Sequence, residues 1–143
     1  MTRCDHAAFR VADLDRSIRF YERVLPARLV SREQKQDRWR TEIATLRPVG
    51  QDDFVLVLLM PRRVRWLLWL FHRCVPRVTR SSEHLGFVCD SLEDLRARER
   101  AAREVGARIE NPVTHLPGRD AWLCEALDPD RNGVEWIFGR VHD

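Results

Sequence analysis

Apolar and polar positions along this chain change period in a fixed order, and the order occurs twice. Ala7 to Val11 reads as a strand. From Leu14 the apolar spacing lengthens, and Ile18, Phe20, Tyr21 and Leu25 supply one face of a helix over about Leu14–Leu25. Asp13 can cap it and Pro26 stops it. Three strand candidates follow: Arg28–Glu33, Trp39–Leu46 and Phe54–Met60. The order then begins again with a strand at Leu85–Cys89. Ser91 is an N-cap candidate with Asp94 three residues on, a variant of the capping box. Leu92, Leu95, Ala102 and Val105 carry the apolar face, and Gly106 ends the helix. Strands are expected at Arg108–Val113, Ala121–Leu127 and Val134–Phe138. The last follows Asp128–Gly133, a run of turn formers in which Asn132-Gly133 offers positive φ at low cost.

The recurrence has a fixed offset. His6 and His84 lie 78 residues apart (84 − 6), as do Phe9 and Phe87, and Leu14 and Leu92. The pattern predicts an α+β protein of two βαβββ modules, about residues 4–60 and 82–140, within a single domain spanning 1–143. Between them lies an insert, Pro61 to Ser82 (about 61–81 once the strand ends are set), which neither module needs. Val64–Phe71 within it reads as a short helix with Trp66, Leu67, Leu70 and Phe71 on one side. A lid packed on the domain is the plain reading. The alternatives are a dimer contact, or a membrane-surface helix using Trp66 to Phe71 beside Arg62, Arg63, Arg65 and Arg73. The apolar run is too short to span a bilayer, which takes about 20 residues.

Composition narrows the class. With 44% hydrophobic and 33% charged residues, the chain is an ordinary globular one. The formal charge is only +3, and no basic run is interleaved with aromatics, so nucleic acid is not an expected partner. Lys35 is the sole lysine among 25 basic residues. Cys4, Cys74, Cys89 and Cys124 form no CxxC pair and read as free core thiols. No signal-peptide pattern precedes the first strand, so a reducing cytoplasm is the expected location.

Strand parity brings out the candidate chemistry. Residues i and i±2 share a face. His6 shares its face with Ala8, His84 with Ser82 and Gly86, and Glu135 with Gly133. The opposite faces carry Phe9, then Leu85 and Phe87, then Val134, Trp136 and Phe138. Each of these strands thus has one bulky apolar face, and another that sets a metal-competent residue among small neighbours. Two imidazoles and a carboxylate are a known ligand set for one divalent ion (Fe, Mn, Zn or Ni), and as a facial triad they leave positions open for substrate. Equivalent placement of His6 and His84 in the repeat makes the set more specific than either histidine alone.

The stretches DHAAFRVADLDRSIRFYERVL, EHLGFVCDSLEDL and LDPDRNGVEWIF resemble the vicinal oxygen chelate superfamily, which joins glyoxalases, bleomycin-resistance proteins and extradiol dioxygenases. The resemblance implies an incomplete barrel of the two modules around a central cavity, and a homodimer. It also implies a metal held by residues of the first and last strands, here His6, His84 and Glu135. Glyoxalase I and methylmalonyl-CoA epimerase carry a further ligand in the last strand of module one. That place falls near Leu56 or Val57 here, which counts against both activities. Fosfomycin-resistance transferases carry Thr two residues after the first histidine, where this chain has Ala8. Tyr is common ten residues before the final glutamate, and Glu125 stands there instead. Facing the cavity, Glu125 would be a catalytic general base; the alternative is an outward residue paired with an arginine. Arg40, Glu42, His115 and Arg119 are further residues that could reach a substrate, though each also reads as a solvated surface residue. His72 and His142 read as surface.

Two functions follow as expectations. The first is a metal-dependent lyase, isomerase or ring-cleaving dioxygenase acting on a small molecule chelated through oxygens. The second is a non-catalytic protein sequestering a small molecule or drug, as bleomycin-resistance proteins do.

Overall fold

The computed structural model describes residues 4–74 and 84–139, the side chains of 72 and 73 excepted. The ends of the insert and of module two, with Ser82 and His142, lie outside the described residues. The chain divides into two compact units, residues 1–75 and 76–143.

The first unit runs β1 (His6–Arg10), α1 (Leu14–Val24), β2 (Ala27–Gln34), β3 (Thr41–Pro48) and β4 (Val55–Pro61), then a 3-10 turn at Arg62–Val64 and α2 (Arg65–Cys74). The sheet order is β1-β4-β3-β2, with β1 parallel to β4 and the other pairs antiparallel. Asp13 caps α1 by accepting the Arg16 N–H at 2.9 Å. Leu14, Tyr21 and Val24 of α1 are fully buried, as are Leu46, Leu56 and Leu58 of the sheet, and this layer is the core of the unit. Tyr21 meets Phe20 edge-on and stacks near Phe9.

The second unit repeats the plan with β5 (His84–Val88), α3 (Leu92–Glu104), β6 (Arg108–His115), β7 (Ala121–Leu127) and β8 (Gly133–Gly139). Its order is β5-β8-β7-β6, with β5 parallel to β8. Each unit is therefore an open four-stranded sheet with one covering helix, as the periodicity predicts. Leu95 and Ala102 of α3 lie over Cys124, Ala126, Val134 and Trp136, all buried. Ser91 accepts the Asp94 N–H at 3.0 Å, but the Asp94 carboxylate turns to Arg98 rather than back to the cap, so only half of a capping box forms.

Two expectations need correction. The positive φ in the turn before β8 belongs to Arg131, at 66°, and not to Asn132 or Gly133. Asp128 explains this: its Oδ1 accepts the N–H groups of Asp130 and Asn132, each at 2.8 Å, and so sets the path of the loop. The cysteines are all free, but only Cys89 and Cys124 are core thiols; Cys4 and Cys74 are exposed. Burial pushes both core thiols up to about 12. Within the insert, α2 forms the short helix expected there, with Trp66, Trp69 and Phe71 about half exposed.

Candidate metal centre

Strand register decides which side chains share a face. In the second unit Gly86 pairs with Glu135, and Glu135 pairs with Glu125. Glu125 in turn pairs with Asn111. His84, two residues before Gly86, joins the same row. The row thus runs His84, Glu135, Glu125, Asn111 across four strands, on the face opposite the Trp136 core. His84 Nε2 lies 3.5 Å from Glu135 Oε1. Asn111 Nδ2 donates to Glu125 Oε2 at 2.8 Å. A Cβ on Gly86 would stand 3.7 Å from Glu135 Oε1, an ordinary contact distance, so the carboxylate lies over this position of β5.

This arrangement is suited to a cation. Two donors bound to one tetrahedral ion at about 2.1 Å are about 3.4 Å apart, close to the observed separation. Two carboxylates directly opposite on a sheet repel each other. A bound cation would relieve that repulsion.

His6 belongs to the first unit, at the start of β1. Its Nδ1 lies 2.7 Å from Asp5 Oδ1. When neutral, a His6 in this contact carries its proton on Nδ1 and keeps Nε2 as the lone-pair nitrogen, the orientation carboxylates commonly impose on metal-binding histidines. The bond to His6 holds the Asp5 carboxyl below its usual range. The residue matching Glu135 follows from register: Ala8 pairs with Val57 as Gly86 pairs with Glu135. Val57 therefore takes the fourth position, and Thr45 takes the place of Glu125. Within its own unit, then, the structure joins His84, Glu135 and Glu125, while His6 stands in the other unit. Among the described residues no three His, Cys, Asp or Glu side chains cluster as a complete metal site.

Two further candidates lie on the other faces of their sheets. Glu42 pairs with Met60, on the core side of its sheet, and is held by Arg32 and Arg62 at 3.0 and 3.2 Å. His115 pairs with Trp122, on the face away from Glu125, and its ring packs on that indole. Arg40 sits before β3 with φ at 49°, and Arg119 is exposed in the loop after β6. Asn111 was missed by sequence reasoning, because a bulge in β6 sets its register and no local signal marks it.

The family model for the Glyoxalase/Bleomycin resistance protein/Dioxygenase superfamily matches residues 3–136, and the chain belongs to that superfamily. It is similar to a lactoylglutathione lyase from Oryza sativa subsp. japonica, with 27% identity over 124 residues, covering 85% of this chain and 39% of the relative. The chain thus spans about two-fifths of that relative's length. Among solved structures, a glyoxylase/bleomycin resistance protein/dioxygenase domain from Frankia sp. aligns over 98% of this chain and 99% of its own, with a TM-score of 0.76 and 24% identity. Glyoxalase I from Zea mays aligns over 94% of this chain and 45% of its own, with a TM-score of 0.66 and 25% identity. Among the described residues no helix is long and apolar enough to cross a membrane.

Proposed function

We propose that this chain is a metal-dependent lyase or isomerase acting on a small molecule that presents adjacent oxygens. His6, His84 and Glu135 hold one divalent ion and Glu125 serves as the base. The observation that carries the proposal is the row His84–Glu135–Glu125 on one sheet face, with two carboxylates opposite each other and an imidazole 3.5 Å from one of them. His6 completes the ligand set from the first unit, either of the same chain or of a second copy in a homodimer.

When bound, the ion would act as a Lewis acid, drawing negative charge onto substrate oxygens. The residues supply the rest. Asn111 fixes Glu125 through Oε2, which leaves Oε1 as the atom to take a proton from a substrate carbon. Val57, which has no donor atom, stands where a fourth ligand would come from, so an ion held there would have one protein ligand fewer. The base candidate agrees with a lyase or isomerase, which must move a proton at a substrate carbon. The likeness to a lactoylglutathione lyase agrees with lyase chemistry in general, while Val57 sets this chain apart from glyoxalase I itself.

Elemental analysis of purified protein tests the reading. Wild type and Glu125→Gln are expected to carry about one divalent ion per chain, and His84→Ala and Glu135→Ala less than about a tenth of that. A wild-type protein without near-stoichiometric metal would overturn the reading and favour sequestration of a small molecule instead.

A further inference from the structure

The helix α2 carries an exposed apolar surface on the side turned away from its own sheet. Arg63 fastens the start of this helix to the β2–β3 hairpin. Its Nη1 donates to the Arg38 carbonyl at 3.0 Å, and its backbone N–H donates to the Trp39 carbonyl at 3.3 Å. Val64 and Leu68, one turn apart, are half-buried and line a hollow with Leu59 of β4, so they mark the inner side of the helix. At about 100° per residue, Trp66 lies about 160° round from Leu68, with Trp69 and Leu70 on either side of it. Trp66 is 61% exposed, and Leu67, Trp69, Leu70 and Phe71 are between 44% and 50% exposed. Drawing the helix closer to the sheet would bury Val64 and Leu68 further and leave Trp66 on the far side.

The charge of this segment has one sign. Residues 54–74 hold four arginines and no Asp or Glu. Arg62, Arg63 and Arg65 stand at the start of the helix. Two acids of the adjoining strand and hairpin are already engaged. Glu42 is held by Arg32 and Arg62, at 3.0 and 3.2 Å. Asp37 accepts the N–H groups of Trp39 and Thr41 and the Thr41 hydroxyl. Arg63 gives its side-chain hydrogen bond to a neutral carbonyl and so keeps its charge. Arg65 is exposed and borders Trp66. A second copy of the chain, seated here as a two-fold pair, would bring the same arginines together with no acid of the segment to answer them. An anionic lipid surface answers both features. Its interface takes up indole and aliphatic side chains, and its headgroups meet the guanidinium groups.

We infer that α2 docks flat on an anionic phospholipid surface, with Trp66, Trp69 and Leu70 entering the headgroup region and Arg63 and Arg65 meeting the lipid charges. A helix of ten residues lies in the interface and does not span the bilayer. The attachment is weak and reversible, because few side chains enter. It uses none of the residues assigned to the metal or the base, so it stands or falls separately from that reading.

The test is flotation of the full chain with vesicles of phosphatidylcholine alone and of a mixture rich in phosphatidylserine. It is run at about 0.1 M and about 1 M salt, between which the screening length falls from about 10 to about 3 Å. At low salt, wild type is expected to bind the anionic vesicles at least about tenfold more tightly than the neutral ones, since each basic residue near such a surface contributes roughly fivefold. High salt should erase that preference. Arg65→Glu should remove most of it, and a carboxylate suits the first turn of a helix, so α2 is kept. Trp66→Gln combined with Leu70→Gln should weaken binding to the anionic vesicles at least about tenfold. Val49→Gln, at an exposed valine in the β3–β4 turn, should change nothing. All four positions are exposed, and circular dichroism checks that each variant is folded. Equal binding to neutral and anionic vesicles at low salt, no binding at millimolar lipid, or undiminished binding by the folded double variant would each overturn the inference. So would a wild type that ignores vesicles and sediments as a dimer, falling to a monomer in the double variant, which would assign the surface to a second copy.

Discussion

Replacing Asp128 by Ala should destabilise the second unit more than any other single change in its loops. Asp128 is 3% exposed. Its Oδ1 receives two backbone N–H groups at 2.8 Å, and its Oδ2 receives the Asn132 amide at 2.8 Å. The main chain of Asp128 closes the same loop in both directions with residues 131 and 132. Hydrogen bonds to a charged group contribute about 1.5–3 kcal/mol each, but three that share one carboxylate do not add fully. Removing them together should cost about 3–4 kcal/mol. Asn132→Ala removes one side-chain bond and should cost about 1 kcal/mol. Urea unfolding at neutral pH, followed by far-UV circular dichroism, measures both. In a chain of 143 residues the larger loss lowers Tm by about 10–15 °C. A loss below about 1 kcal/mol for Asp128→Ala, or equal losses for the two variants, would refute the view that this carboxylate organises the turn that feeds β8.

Further outcomes follow from other parts of the molecule. Burial works against the Glu99 carboxylate, but the Val113 N–H and Arg103 outweigh it and hold the group below its ordinary 4.5. A depressed pKa gives stability that is present above 4.5 and lost as pH falls through the folded value. Unfolding measured at several pH values should therefore show wild type losing its advantage over Glu99→Gln as the pH drops below 4.5, with a constant gap above it. Thiol labelling near pH 8 should modify Cys4 and Cys74 quickly, and Cys89 and Cys124 only after denaturant is added, since both buried thiols sit at about 12. Arg131→Gly should raise stability by about 0.5–1 kcal/mol in the same urea assay, because glycine accepts positive φ without the Cβ penalty.

Much of this was legible in the sequence, for physical reasons that can be named. The change from a period of two to a period near 3.6 marks β1 to α1 and β5 to α3, and Asp13 and Ser91 do cap the helices as their side chains suggest. Parity alone put His84 and Glu135 away from Trp136, since a strand has only two faces. Register was not legible, because pairing depends on turns and bulges remote from the residues concerned. Leu56 and Val57 could not be separated until Ala8 was seen beside Val57. Glu42 and His115 proved to be on the wrong faces for the same reason. The tie between hairpin and insert was equally hidden, since Arg63 reaches the Arg38 carbonyl from a distant part of the chain. Cys4 and Cys74 are exposed just before β1 and at the end of α2, positions that apolar composition alone does not distinguish from core ones.

The most direct measurement is anomalous diffraction from crystals of the protein grown with Mn²⁺ or Zn²⁺, recorded on both sides of the metal's absorption edge. The account predicts one strong peak within coordination distance of His84 Nε2 and Glu135 Oε1, with a His6 imidazole from the same or a second chain as the third ligand. A peak that excludes His84 and Glu135, or no peak at millimolar metal, would contradict it.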